Sequence, residues 1–168
     1  MSKRRKIIIA VCATIFVALL IWARMPAHPP QLKVRISLDE SEFPPGWPII
    51  LHATITNEGE EPAKILEPAP EDMTFEIAVL DTSGVRRDYL GPYGLKEMDR
   101  NAGRYLEPGE KVSLEVSLHD NFDLPAGEYR VKAAYRTLNY PDVDVPFCRI
   151  PSNELSFVLL PPDQQGDL

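Results

Sequence analysis

The stretch Gly127-Glu128-Tyr129-Arg130-Val131-Lys132-Ala133-Ala134-Tyr135-Arg136 leaves this chain few folds to choose from. Tyr129, Val131, Ala133 and Tyr135 fall on one side; Arg130, Lys132, Ala134 and Arg136 fall on the other. A period of two over ten residues specifies a strand with one dry and one wet face. Leu124-Pro125-Ala126-Gly127 punctuates its entry. A tyrosine two residues after that glycine fits a tyrosine corner, in which the phenol hydrogen-bonds back to the entering loop while the strand behind it fills a core. Gly127, Tyr129 and Val131 are therefore assigned structural roles in strand F of an immunoglobulin-like sandwich.

The rest of the chain supplies the partners for that strand. Seventeen prolines and nine glycines in 168 residues suit many short strands joined by turns. Strand A is read from Leu32, Val34, Ile36 and Leu38, and strand B from Leu51, Ala53 and Ile55. Between them lies the turn Phe43-Pro44-Pro45-Gly46-Trp47-Pro48. A short edge piece runs over 63–66, and strand C carries Phe75, Ile77 and Val79. Asp81-Thr82-Ser83-Gly84 is a hairpin signal that predicts a returning strand C′ over 85–90. Val112, Leu114, Val116 and Leu118 give strand E, and Leu155, Phe157 and Leu159 give strand G. The predicted architecture is all-β: an antiparallel immunoglobulin-like sandwich of about seven or eight strands over 32–160, with a polar, frayed tail over 161–168.

A different segment precedes it. Residues 7–23 are apolar and uncharged, behind Lys3, Arg4, Arg5 and Lys6. Seventeen residues in a helix reach about 26 Å, just short of a hydrocarbon core of about 30 Å. The segment is either an uncleaved signal anchor or a cleaved signal peptide. The anchor is favoured, because Met25-Pro26-Ala27 lacks a small residue at the −3 position of a cleavage site. Val11 before Cys12 is too bulky for a lipoprotein, and the residues around Arg4-Arg5 do not follow a twin-arginine signal. The expected organisation is a transmembrane helix over 1–23, a proline-rich tether over 24–31 and the sandwich. The basic flank sets the N-terminus in the cytoplasm and the domain outside it.

Charge narrows the partners. Five of the 18 basic residues flank the apolar run and no acid precedes Asp39, so from Met25 onward 13 basic side chains face 25 acidic ones, a net of −12. Such a surface repels nucleic acid and anionic lipid headgroups. The two cysteines cannot staple the domain, since Cys12 lies in the apolar run and Cys148 far downstream.

Several segments together resemble one pattern: Pro45-Gly46 before strand B, Thr56-Asn57-Glu58-Gly59 after it, Asp81-Thr82-Ser83-Gly84, Glu107-Pro108-Gly109-Glu110 before strand E, Pro125-Ala126-Gly127-Glu128-Tyr129-Arg130-Val131, and Ser152-Asn153-Glu154-Leu155 before strand G. They resemble the immunoglobulin-like domains of membrane-anchored, extracytoplasmic bacterial proteins and, more distantly, a proteinase-inhibitor type of similar build. The resemblance covers about residues 32–160 and implies fold rather than activity. The cysteine pair of immunoglobulins is missing: Val131 holds the second position, and Leu51 or Ala53 the first. Apolar packing must replace it.

Catalysis needs a base, a nucleophile or a metal within reach of one another. His28 is in the tether, His52 on the outer face of strand B, and His119 beside Asp120 after strand E, with no strained Gly-x-Ser-x-Gly elbow to supply a nucleophile. Asp142 and Asp144 lack the further carboxylates and glycine of a calcium loop. The chain is thus read as a non-enzyme with no cofactor, metal or small-molecule substrate. Its longest connections, 57–73, 91–110 and 137–153, share one end of an immunoglobulin-like sandwich and carry Met73, Tyr93, Met98, Tyr105, Tyr140 and Phe147. Aromatic residues and methionine favour a binding surface. The leading expectation is docking of a protein partner at the membrane surface through Tyr93, Met98, Tyr105, Tyr140 and Phe147. The alternatives are a proteinase inhibitor whose F–G loop is stiffened by Pro141, Pro146 and Pro151, and a spacer with no ligand.

Overall fold

Strand pairing in the computed structural model, which describes residues 31–71, 73–92, 103–136 and 148–162, follows the alternation seen in the sequence. Among the described residues, nine strands form two main sheets and a small flap. The first sheet orders β1 (Leu32–Leu38), β3 (Ile50–Asn57) and β7 (Lys111–Ser117) side by side, all antiparallel. The second orders β2 (Glu42–Phe43), β9 (Arg149–Leu159), β8 (Gly127–Arg136) and β5 (Phe75–Asp81), with β2 parallel to β9 and the others antiparallel. The flap pairs β4 (Ala63–Ile65) with β6 (Arg104–Leu106). Strands A, B and E on one sheet and β2, G, F and C on the other make an immunoglobulin-like sandwich without a D strand among the described residues.

The dry faces meet in one core. Val34, Ile36, Leu51, Ala53, Ile55, Val112 and Val116 come from the first sheet, and Phe75, Ile77, Val79, Tyr129, Val131, Tyr135, Phe157 and Leu159 from the second. Burying each large side chain contributes roughly 1.5–3 kcal/mol. Phe157 lies between Phe43, edge-on at 6.2 Å, and Tyr129, stacked at 5.4 Å. The Tyr129 hydroxyl donates to the Pro125 carbonyl at 2.6 Å, closing the corner at the start of β8.

Three expectations change. The stretch 85–90 is not a strand; among the described residues its β-pairing is confined to the isolated bridges Leu80–Arg86 and Tyr89–Phe122. Arg87 N donates to Val79 O, but the next outward carbonyl, Ile77 O, is taken by the Arg86 guanidinium at 3.1 Å, so the ladder stops. Leu118 leaves strand E for a single helical turn, α1 (Leu118–Asn121), capped by the Ser117 hydroxyl. The connections are also shorter than read: 104–106, which pairs with the expected edge piece at 63–65, and 149–153 are strand. In the last case Ser152 and Asn153 form a bulge opposite Ala133, whose N–H donates to Ser152 Oγ at 2.9 Å.

That bulge turns the Asn153 amide toward the first sheet. Its Oδ1 accepts from Ile36 N at 2.9 Å and its Nδ2 donates to Ile36 O at 3.0 Å. One side chain thereby satisfies both backbone groups of a β1 residue that faces away from β3 and sutures the two sheets along one seam.

Candidate functional site

The ends of β1, β3, β5, β7, β8 and β9 converge on one rim, as the register pairs Leu32–Asn57, Thr56–Lys111, Phe75–Tyr135 and Arg136–Arg149 show. Two buried polar residues organise it. Asn57, fully buried at the end of β3, donates from Nδ2 to Glu61 O at 2.8 Å and Leu106 O at 2.9 Å, and its Oδ1 accepts from Gly59 N at 3.0 Å. Its backbone pairs with Glu110 O and Gly109 N. The asparagine therefore ties the exit of β3, the flap and the entry to β7 together. A buried amide so fully partnered fixes geometry, whereas a partly satisfied one destabilises.

The second organiser is Tyr135 with Thr74. Tyr135, at the end of β8, accepts from Leu66 N at 2.8 Å and donates to Leu66 O at 3.1 Å. Burial pushes its phenol pKa well above the ordinary range. Thr74 Oγ1 donates to Glu67 O, and accepts from Ala69 N at 2.8 Å. Between these anchors Met73 is held in the left-handed region, φ 60°, the one non-glycine residue so placed among those described. Arg136 Nε donates to Met73 O at 2.8 Å, and its N–H to Thr74 O. A bulky residue in this conformation costs on the order of 1 kcal/mol and persists only where its surroundings over-determine it. The Met73 side chain remains exposed.

The flap completes the rim. Gly103 is also left-handed, at φ 114°, and a β-carbon there would meet Ile65 O at 2.7 Å, so only glycine lets β6 approach β4. β6 then buries Leu106 and exposes Arg104 and Tyr105. Tyr105 is 61% exposed and is the partner candidate that the described residues include. Tyr93, Met98, Tyr140 and Phe147 lie outside them, as do the apolar run, residues 24–30 of the tether with His28, and Asp142, Asp144, Pro141 and Pro146. Pro151 is exposed within β9, opposite Ala134, rather than in a free bait loop.

Two of the three histidines are described, and they lie apart from each other. His52 sits on the outer face of the first sheet, between Asp39 Oδ1 at 3.1 Å and Glu115 Oε1 at 3.3 Å. His119 is exposed in α1. Among the described residues, no group of three or more His, Cys, Asp or Glu side chains is placed to hold a metal ion, and no helix is long and apolar enough to cross a membrane.

Two features escaped the sequence reading. At the opposite end of the sandwich, Trp47 is 58% exposed on a turn closed by Trp47 N to Pro44 O, with Gly46 at φ 77°. The Pro-Gly turn is legible in the sequence, whereas the outward aim of its tryptophan is set by the fold. On the outer face of the second sheet, Arg86, Lys132 and Arg149 come together around Glu76 from three different segments. No local signal announces that cluster.

No family model matches this sequence, and no curated protein does. Among solved structures, the CARDB domain of a Pyrococcus furiosus protein, solved in complex with di-metal ions, is similar at 14% identity and a TM-score of 0.41, over 81% of this chain and 98% of that one. A β-glucosidase from Erythrobacter marinus is similar at 15% identity and a TM-score of 0.37, over 74% of this chain but 16% of that one. Likenesses this distant say nothing about activity.

Proposed function

We propose that this chain is a non-catalytic interaction module, moored outside the cytoplasm by residues 1–23, which docks a protein partner through its loop rim. The observation that supports the reading best is the buried scaffolding of that rim. Asn57, Thr74 and Tyr135 fix connections that a mere spacer has no need to fix, while Met73 and Tyr105 are left exposed. Loops held rigid before binding lose less entropy on binding. Tyrosine and methionine supply the apolar contact area that interface cores favour. The basic N-terminal flank and the proline-rich tether next to the start of β1 support a membrane-proximal placement for the same rim.

The test is site-specific photocrosslinking in the full chain, in its own membrane, from Tyr105, Tyr93 and Tyr140, with exposed Ser113 of β7 as the control. One protein species captured from the rim positions and not from Ser113 supports the reading. Capture of lipid alone, or the same pattern from Ser113, ends it. Intact-mass measurement of membrane-extracted protein decides whether residues 1–23 are retained.

A further inference from the structure

The wet face of the second sheet carries charge of the wrong sign for this protein. Arg130 and Lys132 project from β8 two residues apart, with Arg149 from β9 and Arg86 beside β5. Lys132, Arg149 and Arg86 border an open trough of about 400 Å³ that Glu76, Ala78 and Ala134 also line. Arg86 Nη1 approaches Glu76 Oε1 at 3.3 Å, and Arg149 Nη2 approaches Glu76 Oε2 at 3.4 Å. One carboxylate is thus shared by two guanidinium groups. Lys132 has no ion pair among the described residues, whereas Arg130 is matched by Glu154 at 3.3 Å. Three cations around one carboxylate leave the trough with a surplus of two positive charges, in a segment whose net charge is −12.

We infer that this trough receives an extended, carboxylate-bearing segment of a protein partner. The chemistry is set by the surplus charge and by Arg149, whose planar fork suits bidentate pairing with a carboxylate. The form of the ligand follows from exposure. These side chains stand about half in water, where a single ion pair contributes about 0–1 kcal/mol, so a lone small anion is held weakly and several carboxylates on one strand are needed. Outward side chains along β8 recur about every 6.6 Å, the same repeat as alternate residues of an extended peptide. Acidic residues two positions apart therefore match Arg130 and Lys132, while Ala134, the next outward residue of β8, accepts a small side chain. The trough opens on the outer sheet face beside the rim, and the peptide titration addresses it alone, so its failure leaves the rim reading intact.

The probe is a fluorescein-labelled peptide of about eight residues alternating Glu and Ser, titrated against the full chain in nonionic micelles at low ionic strength, where exposed pairs are least screened. Binding is expected despite the repulsion between two acidic molecules. Lys132→Glu is expected to weaken it about tenfold, and Arg149→Ala to weaken it severalfold. Lys111→Glu, the same charge change on the exposed edge of the first sheet, leaves it within about twofold. Absence of binding, or equal losses from Lys132→Glu and Lys111→Glu, overturns the proposal. So does tighter binding of a Lys-Ser peptide, or of an oligothymidylate, which would show that the face reads phosphate rather than carboxylate charge.

Discussion

Replacing Tyr135 by Phe removes one oxygen atom and tests how the rim is held. That hydroxyl is the partner of both backbone groups of Leu66, itself 2% exposed. Phenylalanine keeps the ring in the core, so no cavity term arises. What remains is a buried N–H and a buried C=O with no partner among the described residues. An unmet buried group costs roughly 1–3 kcal/mol, the carbonyl toward the lower end, which gives about 3 kcal/mol in all. With a urea dependence of about 2 kcal/mol per molar, the unfolding midpoint of the full chain in nonionic micelles, followed by circular dichroism, falls by about 1.5 M. Amide exchange at Leu66, slow in the parent, becomes fast, which separates loss of this contact from general loosening. Alkaline pH supplies a second readout. Burial raises the folded-state pKa of Tyr135 above the ordinary value of about 10. Its contribution is therefore fully present below pH 10 and is lost as pH rises through the folded value, because the unfolded phenol ionises first. The variant's stability falls less steeply above pH 10, though Tyr129, also raised by burial, keeps part of the slope. A midpoint shift below about 0.3 M, or an unchanged alkaline slope, refutes the argument.

Asn57→Ala strips three hydrogen bonds from a fully buried amide and leaves the Leu106 carbonyl unmet; it lowers stability by about 3 kcal/mol in the same titration and abolishes crosslinking from Tyr105 before the core melts. Asn153→Ala opens the seam at Ile36 and costs about 1–2 kcal/mol, of which Asn153→Asp recovers less than half because Ile36 O then has no donor. Tyr129→Phe deletes the bond to Pro125 O at a cost of about 1 kcal/mol, leaving the Phe43–Phe157 contact unchanged by near-ultraviolet circular dichroism. Lys33→Ala, at an exposed pair with Glu58, changes the midpoint by less than about 0.5 kcal/mol in free energy.

Much of the fold was legible because each core strand alternates locally. β3 reads inward-outward from Leu51 to Thr56, and β8 from Tyr129 to Val131, so their faces follow from the period alone. The misreadings occur where a side chain overrides a backbone pattern. Stretch 85–90 has the hairpin turn and the apolar residues of a strand, yet the Arg86 guanidinium occupies the carbonyl its backbone needed. Residues 149–153 look like loop because of Pro151 and Ser152-Asn153, but a bulge absorbs the irregularity and β9 carries on. The site was less legible still. Three long connections at one end were visible, but not that Asn57 and Tyr135 anchor them, because those contacts span 49 and 69 residues of chain. The cations on the outer sheet face looked like an ordinary wet side, since only the register of β8 against β5 and β9 gathers them around Glu76.

In an immunoglobulin domain a disulfide crosses the middle of the core and acts largely by restricting the unfolded chain. Here Val131 and Ala53 fill that middle with carbon alone. The cross-links sit at the periphery: Asn153 at the seam, Asn57 and Tyr135 at the rim. Each exists only in the native state, and each stabilises only while every one of its partners is in place. A covalent bridge holds its two strands together whatever the loops do, but these side chains bond to loop backbone, so the loops and the strand ends order together. That coupling gives a small sandwich with no central staple a rim as well defined as its sheets. It also concentrates polar substitutions with large effects at the loop exits rather than in the core, a distribution that a spacer held together by apolar packing alone does not require.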